Sequence, residues 1–119
     1  MQWELANTDV ARLYVLRLSD LLVGYCACWV LFDELHINSL AIDDAYRRQG
    51  MALMLLRGVI RDAQSAGATK ATLEVRRSNT PALRLYERLG FVVDAVRKDY
   101  YEQPREDALV LWCRALAVA

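Results

Sequence analysis

The sequence predicts an α+β (mixed α/β) fold in which one twisted mixed sheet is flanked by helices. Two observations predict it. Apolar runs of strand length fill the first third of the chain, and two amphipathic helix patterns bounded by turn residues then alternate with further strands. The chain has 119 residues, enough to cover one hydrophobic core but not two. We therefore expect a single domain over residues 1–119.

The first part of the chain predicts three antiparallel strands, over residues 12–18, 23–32 and 35–42. The second of these runs is almost continuously apolar, which is typical of a strand buried on both faces. A turn at Asp33 and Glu34 separates it from the third. Before the strands, two apolar residues among polar neighbours in residues 1–10 favour a short helical piece that ends near Asn7.

The remainder of the chain predicts two helices and three strands. Residues 52–66 carry an apolar stripe at helical spacing, and Gly67 ends that helix. The second helix is marked by Thr80 as its N-cap and by Pro81 at its first position, and it ends at Gly90. Strands are predicted over residues 71–76, 91–98 and 108–113.

Composition and charge argue against several classes of function. Fifteen Lys and Arg residues balance fifteen Asp and Glu residues, so no overall positive field favours nucleic acid or an anionic membrane as a partner. No apolar stretch has the length of a spanning helix or the pattern of a signal peptide, which predicts a cytoplasmic protein. Because Cys26, Cys28 and Cys113 lack the spacing of a metal or redox site, we expect buried thiols and no metal.

The strongest local signal lies between the third strand and the first helix, where Arg47, Arg48, Gln49, Gly50, Met51 and Ala52 follow one another. A helix start carries unpaired N–H groups and a partial positive charge, both of which favour a phosphate group. Gly50 leaves the backbone open to close approach. The segment lacks the phosphate-binding strings of Walker loops and of dinucleotide-binding folds. A solvated turn is the alternative interpretation.

Glu74 stands in the middle of a predicted strand, where a carboxylate is unusual. Strand alternation places Leu73 and Val75 on one face and Glu74 and Arg76 on the other. One interpretation is an ion pair, with Arg76 or with a neighbouring strand, on a solvated face. The other is a general base that accepts a proton near neutral pH.

Three further residues have two interpretations each. Tyr86 sits at the spacing of an inward helical stripe, as a core residue does, but its phenol could also protonate a leaving group near the helix start. Asn79 fits a turn former as well as a ligand contact. His36, the one histidine, is expected to have a structural or acceptor-side role, since no second histidine or nearby carboxylate pattern supports a metal site or a proton relay.

The order of these signals is more specific than any one of them. The chain runs from a strand to Arg47-x-x-Gly50-x-Ala52, then to the strand bearing Glu74, then to Asn79-x-x-Ala82-x-x-x-Tyr86-Glu87-x-Leu89-Gly90-Phe91. This order resembles the GNAT superfamily of N-acetyltransferases from about Arg12 to the C-terminus. Residues 73–79, 97–101 and 105–108 look like those of the bacterial ribosomal-protein-alanine N-acetyltransferases.

The resemblance implies a role for each matching position, with acetyl-CoA as the cosubstrate. The pyrophosphate would lie on Arg47, Arg48, Gln49, Gly50, Met51, Ala52 and Leu53, and the acetyl and pantetheine arm along Leu40, Ala41 and Ile42. Asn79 would touch the cofactor farther along. Glu74 matches the general base that takes a proton from an α-ammonium group, and Tyr86 matches the acid that protonates the departing thiolate.

The resemblance also implies an activity and a partner. The expected reaction transfers an acetyl group to the N-terminal α-amine of a protein, in particular a ribosomal protein with N-terminal alanine, by direct attack of the amine on the thioester. Two alternatives stay open: a non-catalytic CoA-binding or interaction module, and an acetyltransferase for a small amine or a lysine side chain. GNAT proteins usually carry a strand and a helix before the region matching residues 1–7. We therefore expect residues 12–18 to form a free sheet edge, which either pairs with a second copy as a homodimer or leaves a marginal monomer that binds CoA but holds the acceptor poorly.

Overall fold

The computed structural model describes residues 2–5 by their main chain, and residues 11–47 and 50–116 in full. The strands are β1 Gln2–Leu5, β2 Ala11–Leu18, β3 Leu21–Leu31, β4 Glu34–Ile42, β5 Lys70–Arg76, β6 Val92–Glu102 and β7 Arg105–Cys113. The helices are α1 Met51–Ser65 and α2 Thr80–Arg88, with a 3-10 turn at Asp44–Tyr46. The strands form one sheet in the order β1-β2-β3-β4-β5-β7-β6, so the predicted α+β fold is confirmed.

Two antiparallel halves make up this sheet. β1 to β4 are antiparallel neighbours, and so are β5, β7 and β6. β4 and β5, which join the halves, run parallel. Parallel strands need a crossover connection, and α1 provides it. The mixed sheet therefore has a parallel junction in its centre, with a helix start after each of the two central strands.

Both helices pack into one core cluster with the inward side chains of the sheet. α1 contributes Leu55, Leu56 and Val59, all fully buried, and α2 contributes Tyr86. Burying a leucine or valine side chain contributes roughly 1.5–3 kcal/mol. The face of the sheet under the helices thus supplies most of the apolar stabilisation, and the alternate side chains of the same strands are left partly exposed. No helix in the described ranges is both long and apolar enough to span a bilayer.

The prediction that β3 is buried on both faces is wrong. Cys26 and Cys28 are buried, whereas Tyr25 and Trp29 are each 38% exposed. Successive side chains of a strand point to opposite faces, and the helices cover one of them. The predicted burial of the thiols is confirmed, since Cys26, Cys28 and Cys113 are all free and buried.

The predicted helical piece in residues 1–10 is wrong for the four residues described there. They form β1, which pairs with β2 from Gln2↔Arg17 to Leu5↔Tyr14. A strand edge offers a row of N–H and C=O groups, and pairing with that row outweighs a weak local tendency toward helix. β2 is therefore not a free edge over residues 14–17, and the expectation of a homodimer through this edge loses its basis.

The helix ends agree with the sequence except at the start of α2. Asn79, not Thr80, is the N-cap, and its side-chain oxygen accepts the Ala82 N–H at 3.2 Å. Thr80 is the first helical residue. β6 and β7 extend beyond the predicted strands because their ladder continues to Glu102↔Arg105.

Candidate active site

The candidate site is a cleft at the parallel junction of β4 and β5. Their ladder ends at Ile37↔Leu73, whereas β4 continues to Ile42 and β5 to Arg76. The strands diverge beyond the last pair, and α1 and α2 begin past their ends. A crevice at the carboxyl ends of parallel strands is the usual ligand site in open α/β sheets.

Leu40, Ala41 and Ile42 form the β4 wall of the cleft. Leu40 and Ala41 are half-buried and Ile42 is buried. On the side away from the cleft these residues pair with β3, where Gly24 permits a close approach: a Cβ atom at Gly24 would lie 2.6 Å from Ile42 Cδ1 and 2.9 Å from the Ala41 carbonyl oxygen. The cleft side of this wall presents main-chain groups outside the β4–β5 ladder.

A bulge in β4 lies just before that wall. The β3–β4 register shifts between Ala27↔Ser39 and Cys28↔Ile37, so Asn38 is the extra residue on β4. A bulge bends its strand and increases the local twist. It lies directly after Ile37, where the β4–β5 ladder ends, and so favours the divergence that opens the cleft.

The start of α1 is open to a ligand. Gly50 is the N-cap residue with φ +74°, in the left-handed region that favours glycine, and it offers no side-chain cap. The first main-chain hydrogen bond of the helix is donated by the Met54 N–H to the Gly50 carbonyl oxygen at 3.1 Å. The N–H groups of Met51, Ala52 and Leu53 precede it and have no carbonyl acceptor within the helix. Such a helix start suits an anion.

Arg47 is held by its own turn. Its Nε lies 3.0 Å from Asp44 Oδ1 and donates to the Ile42 carbonyl oxygen at 3.2 Å. Both side chains of the ion pair are mostly exposed, so the pair contributes little to stability and the guanidinium is accessible. Arg48 and Gln49 lie outside the described residues.

Asn79 begins the helix on the other side of the cleft. Its side-chain oxygen caps α2, and its carbonyl oxygen accepts the Leu83 N–H at 3.0 Å. The turn-forming interpretation is thus confirmed. The amide nitrogen of Asn79 takes no part in the cap, and contact with a cofactor stays a prediction.

Glu74 lies in a cavity that borders the cleft on the sheet face away from the helices. The cavity has a volume of about 350 Å³, and its walls include Trp29, His36, Tyr100 and Tyr101. Glu74 follows Leu73, the last residue of the β4–β5 ladder. The carboxylate therefore stands where an aromatic cavity and the open ends of the parallel strands meet.

The two oxygens of Glu74 have different surroundings. Oε1 lies 3.7 Å from Nη2 of Arg97, whereas Oε2 is buried and has no hydrogen-bond partner among the residues that the structure describes. Arg76, the partner considered from the sequence, pairs with Glu106 instead. Leaving a buried acceptor unsatisfied costs roughly 1–3 kcal/mol, and more for a charged group. A bound ammonium group or water would remove that cost, so the site suits a donor that can give up a proton.

Tyr86 lies in the core, as its helical spacing predicts. It is 6% exposed and packs edge-on against Phe91, with ring centroids 5.6 Å apart. Burial raises the pKa of the Tyr86 phenol above its ordinary value, and the Cys26 thiol raises it further. Since Cys26 pairs with Leu40, the phenol lies near the β4 wall of the cleft rather than in the cavity of Glu74.

His36 and Trp29 join the cavity from β4 and β3. The His36 Nε2 lies 3.0 Å from Glu34 Oε1, and the His36 ring centroid is 5.8 Å from that of Trp29. Lining the cavity agrees with the acceptor-side role expected of His36. Trp29 was not among the sequence candidates. The sequence signal that could have found it is strand alternation: Trp29 follows Cys28, so a buried Cys28 places Trp29 on the opposite face of the sheet.

Comparison with known proteins identifies the family of this chain. The sequence model of the Acetyltransferase (GNAT) family matches residues 1–91. The chain belongs to the GNAT acetyltransferase family. The predicted enzyme class, N-acetyltransferase, is confirmed at the level of that family.

Relatives of this GNAT protein include ribosomal-protein acetyltransferases. The [ribosomal protein bS18]-alanine N-acetyltransferase of Haemophilus ducreyi is 39% identical over 95 residues, which cover 77% of this chain and 66% of that protein. The crystal structure of the ribosomal-protein-S18-alanine N-acetyltransferase from Escherichia coli superposes with a TM-score of 0.85 at 30% identity, over 95% of this chain and 74% of that one. The chain thus spans about two thirds to three quarters of these relatives.

A more distant structure shares the fold of this GNAT protein and was solved with acetyl-CoA bound. It is a GNAT family acetyltransferase from Elizabethkingia anophelis, with a TM-score of 0.79 and 22% identity, over 87% of this chain and 75% of that one. Acetyl-CoA is thus a ligand of a protein with this fold.

Proposed function

We propose that this GNAT protein transfers the acetyl group of acetyl-CoA to the N-terminal α-amine of a protein, namely a ribosomal protein that begins with alanine. The observation that carries the proposal is the unpartnered, buried Oε2 of Glu74 in an aromatic cavity beside the cleft. Relatives at 39% and 30% identity are named for this reaction on protein S18, which supports the choice of acceptor.

The cosubstrate has its proposed place on the β4 side of the cleft. The pyrophosphate would accept from the free N–H groups at the start of α1, within Arg47–Leu53, where the helix dipole also favours negative charge. The pantetheine amides would pair with the main chain of Leu40, Ala41 and Ile42, as an added strand does. Asn79 would donate through the amide nitrogen that its cap leaves free.

In the proposed chemistry, Glu74 in the cavity accepts one proton and Tyr86 near the β4 wall donates another. Glu74 takes a proton from the acceptor's ammonium group, and the neutral amine attacks the thioester carbonyl carbon. As the C–S bond breaks, the thiolate takes a proton from Tyr86, whose phenol is protonated at neutral pH since burial raises its pKa above 10.0. The nitrogen of the adduct loses its surplus proton to solvent, from which Tyr86 is reprotonated. The acetyl group moves directly to the amine, and no cysteine is needed as a nucleophile, in agreement with the burial of all three thiols.

Intact-mass measurement on a peptide panel tests the proposal. The panel contains a peptide that begins with alanine, the same peptide with a formylated N-terminus, and a blocked peptide that carries one lysine. We expect acetyl-CoA-dependent gain of one acetyl group on the first peptide alone. Acetylation of the blocked lysine peptide in its place would assign the protein to lysine side chains and reject the α-amine as the acceptor.

A further inference from the structure

Arg76 joins the end of β5 to the β6–β7 hairpin. Its guanidinium donates from Nη1 to the Pro104 carbonyl oxygen at 3.0 Å and from Nη2 to the Gln103 carbonyl oxygen at 3.4 Å, both in the turn between β6 and β7. Nη1 also lies 3.4 Å from Glu106 Oε1. The side chain thus fastens the end of β5 to the tip of the β6–β7 hairpin.

Glu106 extends this contact to the start of α2. Its Oε2 accepts the Ser78 N–H at 2.6 Å, while its Oε1 faces Arg76. Hydrogen bonds from Ser78 and Arg76 hold the pKa of Glu106 below its ordinary value, so the carboxylate is charged at neutral pH. We call Arg76, Glu106 and the Ser78 N–H the hairpin clamp. It ties β5, the turn before α2 and the hairpin to one another.

The guanidinium of the clamp also lies on an aromatic ring. Arg76 Cζ is 4.2 Å from the centroid of Tyr101, and Tyr101 packs edge-on against Tyr100 with centroids 5.1 Å apart. Both tyrosines line the cavity that holds Glu74. Burial raises the pKa of Tyr101 and the charge of Glu74 raises it further, so the phenol is close enough to sense that carboxylate.

We infer that Arg76 is a positioning residue for the acceptor, which acts by holding Tyr101 against the cavity beside Glu74. The inference rests on the proposed function, because the occupant of the cavity is taken to be the N-terminal end of an acceptor peptide. Arg76 does not touch that occupant. Its contacts face the hairpin turn and one side of the Tyr101 ring, and Tyr101 forms the wall.

Lysine cannot replace Arg76 in this arrangement. The planar guanidinium makes divergent hydrogen bonds to two carbonyl oxygens and a carboxylate while its face covers a ring, and an ammonium group has neither the fork nor the face. Arg76→Lys therefore keeps the positive charge but removes the planar group that makes these hydrogen bonds and covers the ring. Arg76→Met removes both and keeps most of the side-chain length.

The test measures peptide and acetyl-CoA kinetics separately. We expect Arg76→Lys and Arg76→Met to lower kcat/KM for the alanine peptide about tenfold or more, mainly through KM, since small misplacements of a positioning group have effects of that size. The KM for acetyl-CoA should change by no more than about threefold, because its proposed phosphate and pantetheine contacts lie on β4 and the start of α1, and only the proposed contact at Asn79 borders the clamp. Arg77→Met is the matched control: Arg77, the residue directly after β5, pairs with Asp107 of β7 at 3.5 Å, and neither residue lines the cavity. It should leave both KM values unchanged.

A double-mutant cycle with Tyr101→Ala tests the route of the effect. If Arg76 acts through Tyr101, Arg76→Met should add little to the loss already caused by Tyr101→Ala. Losses that multiply, or an equal rise in both KM values, would overturn the inference. Thermal unfolding of each variant shows that the compared proteins are folded.

Calorimetry of peptide binding with CoA present separates this inference from the proposed function. If wild-type protein binds the peptide but transfers no acetyl group, the proposed function fails. The inference about Arg76 is then tested by the peptide affinities of the Arg76 and Arg77 variants alone. If the wild-type protein binds no peptide by this measurement, the inference fails as well. Weaker peptide binding in the Arg76 variants than in Arg77→Met supports it.

Discussion

The two helices of this GNAT protein begin on either side of the same cleft and begin differently. α1 starts at Gly50, in a left-handed conformation without a side-chain cap, whereas α2 starts at Asn79, whose side chain satisfies the Ala82 N–H. A helix start without a cap leaves donors that water or a ligand must satisfy. The α1 side is thus suited to binding an anion, whereas the start of α2 is fixed by its own cap, on the side of the cleft where the catalytic roles of Glu74 and Tyr86 are proposed.

The largest effect on activity should come from substitution of Glu74, the proposed general base. Glu74→Gln should lower kcat on the order of 10²-fold or more, as expected when a positioned base is lost, and leave acetyl-CoA affinity unchanged. Steady-state kinetics and calorimetry measure the two. Asp94→Asn is the matched control, because Asp94 also pairs with an arginine, Arg114 at 3.0 Å, but neither residue lines the cavity. Near-wild-type turnover in Glu74→Gln would remove Glu74 from the mechanism.

Tyr86→Phe should have the next largest effect, a fall in kcat of roughly 10- to 100-fold with the fold retained. Because the folded pKa of Tyr86 lies above 10.0, the phenol should cause no alkaline fall in rate below pH 10.0. Its contribution to stability is present below that pH and is lost as the pH rises through the raised pKa. Tyr14→Phe is the control, since Tyr14 is also buried but donates to Asp62, away from the cleft. If both variants keep full activity, Tyr86 is a core residue.

A comparison of two glycines tests the binding side. Gly50 and Gly67 flank α1, both have positive φ, and a Cβ atom at either would meet no atom of the described residues within 4 Å. Valine at either position should cost roughly 1–2 kcal/mol of folding stability through the left-handed backbone. Only Gly50→Val should also weaken CoA binding, by about tenfold, because its branched side chain would stand where a phosphate approaches. Equal CoA affinities in the two folded variants would rule out the start of α1 as the phosphate site.

The smallest effect should separate capping from ligand contact at Asn79. Asn79→Ser keeps a good cap and removes the amide nitrogen, so stability should stay near wild type while CoA affinity falls a few-fold, as for one lost hydrogen bond of about 1 kcal/mol. Asn79→Ala should lose about 1 kcal/mol of stability as well. Thermal unfolding and calorimetry give both numbers. Unchanged affinity in the serine variant would confine Asn79 to capping.

Local patterns predicted both helices and the turn at Gly50 well. Residues 52–66 were expected to be helical and Met51–Ser65 is the helix, because an apolar stripe and terminal glycines are signals within one segment. Gly50 was a candidate for the same reason. These signals need no knowledge of distant residues.

The rest depended on tertiary contacts that a sequence does not display. β1 forms by pairing with β2, and the ion pair of Glu74 comes from Arg97 on β6, across register shifts that residue spacing does not reveal. Trp29 was missed because β3 has apolar residues on both of its faces, so the sequence did not reveal which face is partly exposed. The cap of α2 was misplaced by one residue because Asn79 and Thr80 are both good caps.

The short parallel ladder between β4 and β5 bears on the order in which the chain folds. β2, β3 and β4 are joined by tight turns and can pair from local contacts, whereas the ladder that ends at Ile37↔Leu73 needs α1 to cross between its strands. We expect this junction to form late, so that Leu73→Ala speeds unfolding and hardly slows folding in stopped-flow measurements. A newly synthesised chain would then carry most of its strands before the cleft at this junction could form.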